Sequence, residues 1–306
     1  MSRPTSRAAA LATLAPALDD AYDGFNLAHS TRDPIWTVRR FNEPADQEVV
    51  AFIAAALAFG RVQSVLQTVD AVLGVMGPSP AAFLRTYTPA EAGRFDTLGH
   101  RWIGSRDLAA LAWQLHQMLR DHGSIEAFFA EGGRHAGDDI VEAGLESFSR
   151  RAMALDLSAI YGRARPVPGV GYFFSRPSSG GACKRLNLFL RWMVRRDAVD
   201  LGLWSAVTPA QLIVPLDTHI IRVGRCLGLT RRVSPGWKMA MDITATLRQL
   251  APEDPVRYDF AMCHIGMMGA CGFGTTHTNA QCPLHAVCRP TARKAMKAST
   301  VKRTRA

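Results

Sequence analysis

The 306-residue chain lacks any run of 18 or more uninterrupted apolar residues, so no membrane-spanning helix is expected. Its opening, Met1-Ser2-Arg3-Pro4 followed by alanine-rich sequence, lacks the apolar core of an export signal, which predicts a cytoplasmic protein. Cysteine is scarce. Six residues are too few for a disulfide scaffold, and in a reduced compartment they are expected to be thiols or metal ligands. Apolar–polar alternation is nearly absent too, apart from a short extended segment predicted at 167–174. Neither an internal repeat nor a linker long enough to separate independent domains is present. The final stretch, 289–306, contains no acidic residue but seven basic ones: Arg289, Arg293, Lys294, Lys297, Lys302, Arg303 and Arg305. Removing these seven from the 36 basic residues leaves 29 against 26 acidic, so most of the net charge of +10 sits in that tail. Such a tail is a solvated end or a loose phosphate contact whose affinity falls with salt.

What is present is helical periodicity. With 48% hydrophobic and 20% charged residues the composition is that of an ordinary globular protein. Segments 46–59, 62–76, 108–120, 140–153, 185–194, 218–227, 237–250 and 255–268 carry apolar residues at helical spacing, with Asp46 as the expected N-cap of the first. An all-α fold follows. One body over residues 1–290 and a basic tail over 291–306 are expected.

Two helix starts carry candidate chemistry. In Ser178-Ser179-Gly180-Gly181-Ala182-Cys183-Lys184, two glycines ahead of a helix allow close backbone approach, and helix N-termini suit phosphate. Lys184 then stands in a first turn whose dipole disfavours an ammonium, as an amine nucleophile requires. The plain alternative is a surface lysine beside a glycine turn. In Leu212-Ile213-Val214-Pro215-Leu216-Asp217-Thr218-His219, Asp217 opens a helix after an unbroken apolar approach. An N-cap aspartate is usually structural, but one beside a buried cleft can stabilise a developing cation or position a water.

A glycine hairpin, a lysine, a helix and then Leu216-Asp217-Thr218-His219-Ile220-Ile221-Arg222 resemble the helix-hairpin-helix DNA glycosylase superfamily. The 32 residues between Lys184 and Asp217 are similar to the spacing of the archaeal 8-oxoguanine glycosylases. The run Ala182-Cys183-Lys184-Arg185-Leu186-Asn187-Leu188-Phe189 resembles the DUF2400 family, of which the chain is identified as a member. The resemblance implies a two-lobed helical fold with the cleft between the lobes. It also implies a monomeric, nucleoid-associated enzyme acting on double-stranded DNA that carries a damaged or modified base. Lys184 would be the nucleophile and Asp217 the catalytic aspartate, with Gly180, Gly181 and Ala182 gripping a phosphate. Arg61 and Gln63 would fill the gap left by a flipped base, and His219 and Arg222 would contact DNA. The usual Pro-Gly-x-Gly is replaced here by Ser179-Gly180-Gly181-Ala182, while the literal match Pro168-Gly169-Val170-Gly171 lies upstream and is read as a decoy.

The resemblance further implies a C-terminal metal site. Cys271, Cys282 and Cys288 are its ligands, and an iron–sulfur cluster or zinc is its occupant. Asn279 stands where a fourth cysteine is expected; Cys263, His277 or His285 could substitute, and a remnant site without metal is the alternative. Cys183 and Cys226 are expected in the core. The leading expectation is a glycosylase with abasic-site lyase activity. The rivals are a monofunctional glycosylase using water, a non-catalytic DNA-binding protein, and action on RNA.

Overall fold

The computed structural model describes residues 7–25, 29–30, 33–133, 140–162, 168–267 and 282–288. Among them no β-strand occurs, and extended pairing is limited to the isolated bridges His100–Ile103 and Arg196–Leu201. The α-helices are α1 (Arg7–Gly24), α2 (Ile35–Val38), α3 (Pro44–Ala56), α4 (Val62–Met76), α5 (Pro80–Thr86), α6 (Ser105–His122), α7 (Ile125–Gly133), α8 (Ile140–Ala154), α9 (Ser158–Tyr161), α10 (Pro168–Gly171), α11 (Lys184–Val194), α12 (Thr218–Cys226), α13 (Trp237–Arg248) and α14 (Asp259–Met267). None is long and apolar enough to cross a membrane.

Helix α3 is buried around its whole circumference from Val49 to Ala56, as an all-apolar helix must be, and α2, α4, α5 and α11 pack around it. It begins at Pro44, where a missing N–H costs nothing. Asp46 is therefore not the N-cap. It lies in the first turn, and its Oδ1 accepts the Ala81 amide of α5 at 2.7 Å. Helix α4 buries one stripe, Val65, Val69, Val72, Leu73 and Met76, and ends at Gly77 with φ +77°. Helices α7 and α8 form a close pair, in which Phe129 lies directly over Gly144.

A second group assembles from the ends of the described chain. Helix α14 packs against α12 and α1, and Tyr258 donates to Asp19 Oδ1 of α1 at 2.8 Å. Gly224 of α12 lies under Ile243 of α13. Helix α11 joins the two groups: one flank packs on α3, and the other sends Arg191 to Asp259 of α14 at 2.6 Å. Arg191 and Arg195 also share Asp200, and Arg195 reaches Asp197 at 2.9 Å and Asp254 at 2.9 Å, so two buried guanidiniums serve four carboxylates.

Two further expectations are corrected. Residues 168–171 form a helical turn rather than extended chain, because Gly169 sits tightly on the Asp107 carboxylate, which itself binds the Gly104 amide and the Tyr161 hydroxyl. Cys226 is not a core thiol. Segment 282–288 returns to α1 and brings Cys288 into a disulfide with Cys226 at the end of α12. Cys183 is buried as expected. Cys271, His277, Asn279 and the tail 291–306 lie outside the described residues.

Candidate active site at the starts of two helices

A cavity of about 830 Å³ lies where the turn after α3, the start of α11 and the start of α12 meet α14. Lys184 and Asp217, 33 positions apart in sequence, both line it.

The approach to α11 is a backbone device. A short turn at Pro177–Ser179 ends at Gly180, whose φ of +79° favours glycine. The Gly180 carbonyl accepts the Trp237 amide at 3.0 Å. It also lies so close to Gly236 that a Cβ there would stand 2.6 Å from it, so the hairpin rests directly on the start of α13. Gly181 is exposed, and it lines the cavity together with Ala182. Cys183 follows in a left-handed conformation (φ +49°) and supplies no side-chain cap, which leaves the first amides of α11 without a side-chain acceptor. Burial pushes the Cys183 thiol up to about 11, so it stays protonated.

Lys184 Nζ donates to the Ala58 carbonyl at 3.3 Å, just past the C-terminal end of α3. The amine thus sits between two helix ends of opposite sign, the start of its own helix and the end of α3. The neighbouring Arg185 folds back over the Tyr172 ring, 3.6 Å from its centroid, and donates to the Tyr172 carbonyl. Burial lowers its guanidinium to about 10.

Asp217 caps α12. Its Oδ1 accepts the His219 and Ile220 amides, both at 2.8 Å, and its Oδ2 receives the Cys263 thiol at 3.4 Å. Burial and the Asp217 charge push that thiol well above its ordinary range, so Cys263 acts as a donor. Asp259, one turn earlier on α14, also lines the cavity, and burial raises its carboxyl to about 6. His219 also lines the cavity and packs its ring against Gly266 of α14. Arg222 is exposed on α12.

Arg61 and Gln63 are exposed at the start of α4, between and beside the cavity-lining Gly60 and Val62. Gly60 has φ +97°, and Arg101 lies where its Cβ would be. Exposed apolar side chains gather here. Val62 and Met267 line the cavity, and Trp102, 56% exposed, packs on Phe59 and Tyr172, which also line it.

Of the residues the sequence points to, Lys184, Asp217, Gly181, Ala182 and His219 all line one cavity, whereas Gly180, Arg61, Gln63 and Arg222 do not line it. Asp259 is not singled out by the sequence, and Cys263 is singled out there only as a substitute metal ligand; the two stand one turn apart on α14. Of the expected metal ligands, Cys288 is bonded to Cys226 and Cys282 retains a thiol. Among the described residues no group of three or more His, Cys, Asp or Glu side chains is arranged for a metal.

The model of the DUF2400 family, a protein of unknown function, matches residues 33–268, and the chain belongs to that family. No curated protein and no solved structure matches it.

Proposed function

We propose that this member of the DUF2400 family is a DNA glycosylase with abasic-site lyase activity, built on a two-lobed helix-hairpin-helix plan. The observation that carries the reading is the meeting of Lys184 and Asp217 in one cavity, each at a helix start. In this reading α3–α8 form one lobe, α1 with α12–α14 the other, and α11 lines the cleft between them.

Three features support DNA as the partner. The Gly180–Gly181 hairpin and the uncapped start of α11 offer amide N–H groups to a backbone phosphate. The exposed Arg61 and Gln63 stand at the cavity rim. The exposed apolar group of Val62, Met267 and Trp102 is of the kind that props open a disturbed base stack. A damaged or modified base turns out of the duplex into the cavity. The C1′–N bond breaks, the base leaves with the bonding pair and gains a proton, and Asp217 stabilises the positive charge growing on the sugar. The amine of Lys184, having released Ala58, attacks C1′ with its lone pair and gives up its protons, one of them to O4′, as the sugar ring opens to a Schiff base. β-Elimination then cuts the strand.

Borohydride reduction tests this directly. The wild type should give a covalent protein–DNA adduct on at least one duplex of a panel of altered bases, and Lys184→Ala should abolish it. Asp217→Asn should lower base release by at least about 100-fold while leaving DNA affinity within about twofold, because a carboxylate near phosphates contributes little to binding. An adduct formed at wild-type level by Lys184→Ala would refute Lys184 as the nucleophile. The bond from Nζ to Ala58 favours one second reading, a monofunctional enzyme in which Lys184 is an anchor and Asp217 positions water. Base release without any adduct in the wild type would establish it.

A further inference from the structure

One covalent bond joins two parts of the chain that the proposed chemistry does not use. Cys226 ends α12, and Cys288, 62 positions later, ends the described segment 282–288. Their Cα atoms lie 5.5 Å apart, an ordinary separation for a disulfide. Both residues are half-buried, so a small thiol can reach the bond. The rest of the segment is held lightly. Among residues 282–288 only Leu284 is buried, at 2% exposure, and the short turn His285–Val287 meets α1. A unit with so few buried contacts opens at low free energy once its covalent tie is cut. Cys288 directly precedes the basic stretch that begins at Arg289, so the bond fixes the root of that stretch at the end of α12. Arg222 and Arg225, three positions apart on the same helix, are both exposed there.

We propose that Cys226–Cys288 is a redox-sensitive clasp, which decides whether segment 282–288, and with it the root of the basic tail, stays docked at the end of α12. Accessible disulfides are the labile, regulatory ones, whereas enclosed ones resist reduction. Opening is thiol–disulfide exchange. A reductant thiolate attacks one sulfur, forms a mixed disulfide and expels the other cysteine, which takes a proton. A second reductant thiolate attacks the reductant sulfur of that mixed disulfide and expels the remaining cysteine, which takes the second proton. Two electrons thus pass to the pair, and the reductant leaves as its own disulfide. A small disulfide such as oxidised glutathione reverses the exchange and takes the two electrons back. Closure also withholds Cys288 from the metal that the family resemblance offers it, because a bonded sulfur has no thiolate to give. Asp217 is unaffected, since its amide partners belong to the first turn of α12. The clasp therefore acts on the tail and not on the cavity.

The full chain is compared before and after treatment with dithiothreitol. The pair removes two of the six cysteines, so four thiols should be counted in the oxidised protein and six in the reduced one. Dithiothreitol should open the bond in the folded protein, without denaturant. Chymotrypsin then reads the segment: cleavage after Leu284 should rise at least about tenfold on reduction, because cleavage follows the open population. The thermal midpoint should fall by about 5 °C, as for the loss of a bond closing a loop of this size. Cys226→Ser should behave as the reduced protein with or without dithiothreitol, whereas Cys282→Ser should keep the wild-type response. Affinity for an undamaged duplex at low salt should fall about two- to threefold on reduction, because the tail is then tethered through a longer stretch of chain. A chain ending at residue 290 should lose that response. The duplex arm rests on the reading of DNA as the partner, and the other arms do not. Six thiols in protein handled in air, or bound iron or zinc that is lost in Cys288→Ser, overturns the clasp. A bond that opens only in denaturant, or cleavage and melting that ignore its opening, makes it a fixed brace and overturns the switch. An opened clasp with unchanged duplex affinity supports the redox pair and sinks the DNA reading of the tail alone.

Discussion

The two oxygens of Asp217 are held by donors of unequal strength. Oδ1 is fixed by two backbone amides that follow from the helix itself and would survive most substitutions nearby. Oδ2 depends on a thiol from another helix, and that thiol is a weak donor which burial keeps protonated. On the proposed glycosylase reading Cys263 is a positioning residue, whose loss removes the donor to Oδ2 while the two amides still hold Oδ1. Cys263→Ala should slow single-turnover base release by about 3- to 10-fold, the equivalent of one modest hydrogen bond. Cys263→Ser should recover part of the rate, and DNA affinity should stay the same in both. A rate unchanged in Cys263→Ala would show that the amides alone orient Asp217.

Helices in this molecule are secured at their ends by residues far away in sequence. The start of α7 has no acceptor of its own type in the chain just before Ser124 that serves Ile125 and Glu126. Instead Glu48 of α3 accepts both of their amides, at 3.0 and 2.8 Å, and also the Trp204 indole N–H at 2.8 Å. Glu48→Ala would strand three donors, two of them fully buried, and denaturant unfolding should show a loss of about 3 kcal/mol. Glu48→Gln, which keeps one acceptor oxygen, should lose less. The same distinction between local and distant causes decides what could be read from sequence. Helix α4 was legible to the residue, because its valine stripe and Gly77 stop are local signals. Lys184 and Asp217 were legible for the same reason, each standing beside a glycine turn or an N-cap. Helix α1 was not, since its alanine-rich run contains Pro16 and its buried face, Leu14, Leu18 and Ala21, is narrow. The segment 167–174 reads as extended chain, but Gly169 fits a helical turn against Asp107. Asp46 resembles a cap in sequence, but the helix starts two residues earlier at Pro44, so Asp46 falls in its first turn. Asp259, Cys263 and the Cys226–Cys288 pair acquire their meaning only through tertiary approach, the last across 62 residues, and nothing in their neighbourhoods announces it.

Over the whole molecule, charge is distributed as a nearly balanced body with a strongly basic end. The body carries 29 basic and 26 acidic residues up to position 288, and several of its charges are consumed in the buried pairs of Arg191 and Arg195. The hairpin at Gly180–Gly181 offers amides rather than cations, so its phosphate contacts would release few counterions and depend weakly on salt. Residues 291–306 are the opposite case. They contain Arg293, Lys294, Lys297, Lys302, Arg303 and Arg305, with no acid among them. If the tail contacts the duplex, each phosphate it neutralises adds about 0.9 to the steepness of log affinity against log salt. Removing 291–306 should therefore weaken binding at 50 mM salt far more than at 300 mM, and should flatten the slope by about 2 to 5. Base selectivity and the Lys184 adduct should persist in the truncated protein at saturating DNA, because the cavity residues lie wholly within 33–267. Titrations of the two proteins across that salt range check this, and an unchanged slope would mean that the tail does not touch phosphate and that the positive contacts must be sought around Arg61 and Arg222.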